Sequence, residues 1–244
     1  MTLAGRTALV TGASRRAGIG FAIAERLRAA GAAVFTQGWT PHDAAQPWGA
    51  DPELEPDLEA DFAERDAPAR VVAAAHDALG PLDVLVVNHA RSGSGRLDEL
   101  TADHIDAFLH ENVRASLLLV REFAAQFEGE NGRVILFTSG AHLSPMTGEL
   151  AYAVSKGALA IATLTLAEEL ADRGITVNCV HPGPTDTGYG LADVDPAPRM
   201  PFGRWGEPDD AARLVAWLCS DDARWLTGQV IDSEGGFRRW VGSS

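Results

Sequence analysis

Residues 7–31 read TALVTGASRRAGIGFAIAERLRAAG, and this stretch decides the fold. TALVT is a short aliphatic and β-branched run, the pattern of a buried strand, and FAIAERLRAAG continues as a helix. Between them lie Gly12, Ser14, Arg15, Arg16, Gly18, Ile19 and Gly20. Glycines in a turn between strand and helix let the backbone approach a pyrophosphate, and the unpaired N–H groups of the helix N-terminus face its negative charge.

Working outward, similar runs recur as AAVFTQ (32–37), LDVLVVN (82–88), RVILFTS (133–139), ITVNCV (175–180) and GQVID (228–232). Helical patterns separate most of them. Continuous apolar strands alternating with helices indicate βαβ units and a parallel sheet covered on both faces. With residues 57–61 included, about seven strands are predicted, in an α/β, single-domain, Rossmann-type doubly wound sheet spanning 1–244. Thr101 is placed to cap a helix starting near 102, Gly174 to stop the one that begins near 150, and Glu207-Pro208 to open the last. Residues 40–56 hold Pro41, Pro47, Pro52 and Pro56, so mostly irregular chain is expected there.

Composition narrows the function. The 244 residues are 46% apolar and 22% charged, as in a folded globular chain. A net charge of −14 argues against nucleic-acid or anionic-membrane partners, which draw on clustered Lys and Arg. Cys179 and Cys219 sit among apolar neighbours and read as buried free thiols; no metal site is expected. No basic stretch with a following apolar core opens the chain, and no uncharged run approaches the roughly 20 residues of a membrane span, so a cytoplasmic location is expected.

The chain has one lysine, Lys156, and two tyrosines, Tyr152 and Tyr189. Tyr152 and Lys156 are four residues apart, which places them on one face of a helix. A phenol ionises near 10, and bringing it to work near neutrality takes about 3 to 4 kcal/mol. An ammonium about 5 Å away supplies roughly 3 kcal/mol at an effective dielectric near 20. The pairing therefore has a chemical purpose of its own.

Together these motifs resemble the short-chain dehydrogenase/reductase family over nearly the whole chain, in its 3-oxoacyl-thioester reductase-like branch. The family's TGxxxGxG pattern is matched by Thr11, Gly12, Gly18 and Gly20, with two residues more than usual between the first two glycines. The resemblance implies that Tyr152 exchanges the proton, that Lys156 lowers its pKa and binds the nicotinamide ribose, that Ser139 orients the substrate oxygen, and that Asn112 relays protons through a water. It further implies cofactor contacts from Asp61 to the adenine, from Asn88 and Ala90 after the fourth strand, and from Pro182, Gly183, Thr185 and Thr187 over the nicotinamide. Arg91 stands where the family has glycine, and Glu234 where an aspartate is usual. His89 reads as structural, since no His or Cys is spaced to share a metal with it.

Gln37-Gly38-Trp39-Thr40 follows the second strand where an NAD-specific fold would carry a carboxylate. With Arg15 and Arg16 in the adjacent loop, NADP(H) is preferred and NAD(H) is possible. The helix GALAIATLTLA (157–167) is uncharged on every face, and a sheet covers only one, so a homo-oligomer, tetramer or dimer, is expected. The segment 188–206 reads as a short substrate-covering region, with Tyr189 and Met200 as candidate linings. The reading that emerges is an oxidoreductase that moves hydride between NADP(H) and a small-molecule carbonyl or alcohol. The alternatives are a non-redox enzyme on the same scaffold and a dinucleotide-sensing protein without turnover.

Overall fold

The computed structural model describes residues 2–188, 191 and 194–240. Tyr189 lies outside them. Strands β1 (Thr7–Thr11), β2 (Ala33–Gly38), β3 (Leu58–Glu59), β4 (Val84–Val87), β5 (Gly132–Phe137), β6 (Ile175–His181) and β7 (Val230–Asp232) form one sheet. All pairings are parallel, in the order β3-β2-β1-β4-β5-β6-β7. Around it run helices α1 (Ile19–Ala29), α2 (Thr40–Ala44), α3 (Ala67–Leu79), α4 (Ala102–Phe108), α5 (Ala115–Gln126), α6 (Leu150–Ala171) and α7 (Pro208–Leu218).

Side chains alternate along each strand between two cores. Leu9, Leu85, Val87, Val134, Leu136, Val177 and Cys179 enter the layer that contains Val71, Leu119, Phe123 and Leu170. Ala8, Val10, Val84, Val86, Ile135, Phe137 and Val180 enter the opposite layer, with Ile23, Leu27, Val215 and Leu218. This is why the strands read as unbroken apolar runs: both faces are covered.

The order reverses at β1, which pairs with β2 on one side and β4 on the other. Loops leaving the carboxyl ends of β1 and β4 part there and open a crevice. Thr101 caps α4 by accepting from the His104 N–H at 3.1 Å, and Gly174 ends the turn after α6 with φ +68°. Residues 40–56 supply only the five-residue α2; the rest is irregular. Between α4 and α5 the backbone widens into a π-helical turn, Leu109–Arg114.

Helix α6 is long and apolar enough to cross a bilayer, but it packs on β5 and β6 as a core helix. Lys156, Leu159, Thr163, Ala167 and Leu170 are buried on that side. On the other, Ile161 and Leu164 are 78% and 68% exposed. Cys179 and Cys219 are buried and unpaired, and burial pushes their thiols up to about 11 and about 12.

Candidate active site

The crevice is a cleft of about 900 Å³ at the carboxyl ends of the strands. Its floor begins at the glycine loop. Gly12 has φ +70°, and a Cβ there would lie 2.7 Å from the His89 Cα; one on Gly20 would lie 2.3 Å from the Gly12 carbonyl oxygen. Only bare backbone allows the loop, helix and β4 turn to close this tightly. The Asn88 amide locks them together by donating to the Thr11 and Gly12 carbonyls at 3.2 and 3.0 Å.

Gly18 caps α1 without any side-chain bond, and the first turn of α1 carries no acidic residue. Gly18 and Ile19 both line the cleft. The positive helix end is thus open toward the cavity, which fits the pyrophosphate of a dinucleotide.

Gln37, buried at the end of β2, is a stitch between strands. Its Oε1 accepts from the Gly12 N–H at 3.1 Å, and its Nε2 donates to the Ala60 carbonyl at 2.8 Å. The absence of a carboxylate after β2 in sequence does not hold in space. Asp43, carried in by α2, lines the cleft and accepts from the Ser14 hydroxyl at 2.5 Å and the Trp48 indole N–H at 3.1 Å, with the Arg15 Nε 3.3 Å away. Arg15 also donates to the Thr187 carbonyl at 3.0 Å, reaching from the glycine loop to the far wall. Arg16 turns elsewhere, making two 2.8 Å bonds to Asp51, and does not line the cleft. Asp61 and Ala90 line it, and Asp61 also accepts from the Ala63 N–H.

At the other end stand Ser139 and Tyr152, both on the cleft wall. Ser139 follows β5, and its hydroxyl lies 3.3 Å from the Met146 sulfur. Ser144 shares the same wall. The Tyr152 ring is set edge-on to Phe108, centroids 6.4 Å apart. Lys156 lies one turn further along α6, 3% exposed and beneath the cleft, where its ammonium donates to the Phe137 carbonyl at 3.1 Å. Burial brings its pKa down to about 8.

Asn112 sits fully buried in the π-helical turn. Its Oδ1 accepts from the Arg91 N–H at 2.7 Å, and its Nδ2 donates to the Arg91 carbonyl at 3.0 Å and to the Ser155 hydroxyl at 2.9 Å. An asparagine in a helix interior is explained here by what it grips: the loop after β4 and helix α6, on either side of Tyr152. Arg91 points along the cleft wall into a 2.6 Å ion pair with Glu111. His89 is clasped by the Thr11 hydroxyl at 2.9 Å and the Glu111 carbonyl at 3.0 Å, against the Phe62 ring. Burial, with the Lys156 charge, holds it down to about 3, a neutral structural imidazole.

Pro182, Gly183, Thr185 and Thr187 form the wall after β6. Gly183 has φ +70°, and a Cβ there would lie 2.5 Å from the Glu234 Cβ. Glu234 and Arg239 are joined by two bonds, and Phe237 and Arg239 complete that wall. Sequence reading missed this tail, as it missed Asp43, Trp48, Met146 and Glu149. Met200 is buried but lines a separate, smaller hollow.

A family model described as enoyl-(acyl carrier protein) reductase matches residues 12–238. The chain is 40% identical to the uncharacterized oxidoreductase YjdA of Bacillus subtilis (strain 168), covering 96% of this chain and 97% of that protein. It is 33% identical to the acetoacetyl-CoA reductase of Shinella zoogloeoides, over 95% and 98% of the two chains. Its structure superposes on that of a short chain dehydrogenase from Burkholderia cenocepacia J2315 in complex with NADP, with a TM-score of 0.83, 37% identity and coverage of 97% and 99%.

Proposed function

The chain belongs to the short-chain dehydrogenase/reductase family of NAD(P)-dependent oxidoreductases, and from that premise we propose that it is an NADP(H)-dependent carbonyl reductase or alcohol dehydrogenase acting as a single catalytic domain. The observation that carries this reading is the placement of Ser139 and Tyr152 on the wall of the same cleft whose floor is the glycine loop. When bound, the nicotinamide supplies or accepts the hydride.

The protein's own share is positioning and proton transfer. The Ser139 hydroxyl donates to the carbonyl oxygen and fixes its direction. Tyr152 gives its proton to that oxygen as negative charge develops, and takes it back in the reverse direction. The Lys156 ammonium, one turn behind, lowers the cost of the phenolate and offers a donor to the nicotinamide ribose. Asn112 holds the Arg91 backbone and the helix beside Tyr152, and a water on its amide would return protons from solvent. Gly12, Ser14, Gly18, Ile19 and Gly20 would receive the phosphates, Asp61, Asn88 and Ala90 would hold the adenine half, and Pro182, Gly183, Thr185 and Thr187 would cover the nicotinamide.

NADP(H) is favoured because Arg15 is a cation on the cleft wall, and because the Burkholderia relative was crystallised with NADP. Asp43 opposes this by answering Arg15, so a 2′-phosphate must draw the guanidinium from the carboxylate. A 3-oxoacyl thioester is one substrate class to try, by analogy with the acetoacetyl-CoA reductase. We place the enzyme in the cytoplasm, as a dimer or tetramer joined through the exposed face of α6.

The test follows NADPH and NADH absorbance with simple ketones and 3-oxoacyl thioesters. Wild type is expected to turn over with NADPH faster than with NADH, and Tyr152→Phe to lose about 10²-fold or more of kcat. Equal rates in wild type and Tyr152→Phe would remove Tyr152 from the mechanism.

A further inference from the structure

Among the described residues, each arginine on the cleft wall has a carboxylate partner. Arg15 is answered by Asp43, Arg91 by Glu111 and Arg239 by Glu234. Among the described residues, no arginine on the cleft wall is therefore left over for an acidic substrate.

Two carboxylates there are paired with no cation among the described residues: Asp61, which accepts from the Ala63 N–H, and Glu149. Glu149 stands on the wall with Ser139, Ser144, Met146 and Tyr152, three residues before the tyrosine and at the mouth of α6. Its side chain is half-buried, and among the described residues no hydrogen bond or ion pair reaches its carboxylate. Desolvation alone raises its pKa; no neighbour pulls it down.

The backbone at this point is fixed from both sides. The Gly95 N–H donates to the Gly148 carbonyl at 2.6 Å and the Leu150 N–H to the Gly95 carbonyl at 3.3 Å. The carboxylate is thus presented from a rigid position rather than from a loop tip. A partly buried, unanswered charge costs the folded chain free energy, and a ligand carrying the complementary charge recovers it.

Resting on the reductase reading above, we propose that Glu149 selects carbonyl substrates, or the matching alcohols, that carry an ammonium group about one helical turn, roughly 5 Å, from the reacting carbon. Ketones with a carboxylate at that distance are rejected by the same group.

Three ketones of matched length test this on the full chain with NADPH: 5-(dimethylamino)-2-pentanone, its uncharged isostere 6-methyl-2-heptanone, and 5-oxohexanoate. In wild type, kcat/KM for the amine is expected to exceed that for the isostere about tenfold, and the acid to trail the isostere. In Glu149→Gln the amine-to-isostere ratio is expected to collapse toward one and the acid-to-isostere ratio to rise. An unchanged order of preference in Glu149→Gln, or no preference for the amine in wild type, overturns the proposal. The isostere reports separately on the parent reading. If wild type reduces none of the three, the wider panel of ketones and 3-oxoacyl thioesters above decides the reductase reading, and calorimetric binding of the amine and the acid to wild type and Glu149→Gln decides the role of Glu149 by the same ordering.

Discussion

Lys156 is the residue on which most of the proposed chemistry turns. As the sole lysine of the chain it is both the cation behind Tyr152 and an isolated spectroscopic probe. Burial lowers its pKa, so the ammonium is present below about pH 8 and is lost as pH rises through that value. Labelling with ¹³Cε-lysine gives one side-chain signal; we expect its titration midpoint near 8 in the nucleotide-free chain, and a midpoint above about 10, the value for exposed lysine, would refute the buried placement. At this scale the sequence was informative where chemistry demands a spacing. Tyr152 and the strand-end Ser139 line the cleft, and Lys156 is buried one turn along α6 from the tyrosine. The sequence was uninformative where a group arrives from a distant part of the chain. Asp43 meets Ser14 across twenty-nine positions, and Gln37 looked like a vacancy for a ribose contact while in fact it ties three strands.

Elements explain why the residues stay where they are. The π-helical turn of Leu109–Arg114 lets Asn112 face inward and bond two segments at once, which an unbroken α-helix from 102 to 126 would not offer. An asparagine in a helical run hints at such a kink, and the sequence was legible to that extent; the partners of the amide were not, because they depend on the loop after β4. The wall after β6 has a comparable constraint in Gly183, which combines a left-handed φ of +70° with the approach of Glu234. Gly183→Ala is expected to cost about 2 to 3 kcal/mol, from left-handed strain and displaced Glu234, or roughly 4 to 12 °C in Tm. Differential scanning calorimetry checks this, and an unchanged Tm would mean that the wall yields freely. The tail from Glu234 to Arg239 was invisible beforehand because its role rests on one ion pair to a residue five positions away and on packing against a glycine.

For the whole molecule, parallel order and two-sided burial followed from strands with no polar face; six strands lie where apolar runs announced them, and β3 falls within the added segment 57–61. What composition alone could not place was the uncovered side of α6. The sheet takes one side of that helix, and Val154, Ile161 and Leu164 remain 56%, 78% and 68% exposed. Such a stripe on a chain of net charge −14 calls for a second copy to cover it. Light scattering is expected to give a multiple of 25.8 kDa for wild type and a shift toward 25.8 kDa for Leu164→Glu; a wild-type monomer would sink the assembly. The single buried lysine carries a different consequence. An endoprotease that cuts only after lysine meets one bond in the entire chain, Lys156 to Gly157, and it lies inside α6 with its recognition side chain enclosed. Digestion can proceed only through opening of that helix, so the appearance of two fragments is a clock for the breathing of the helix that carries Tyr152.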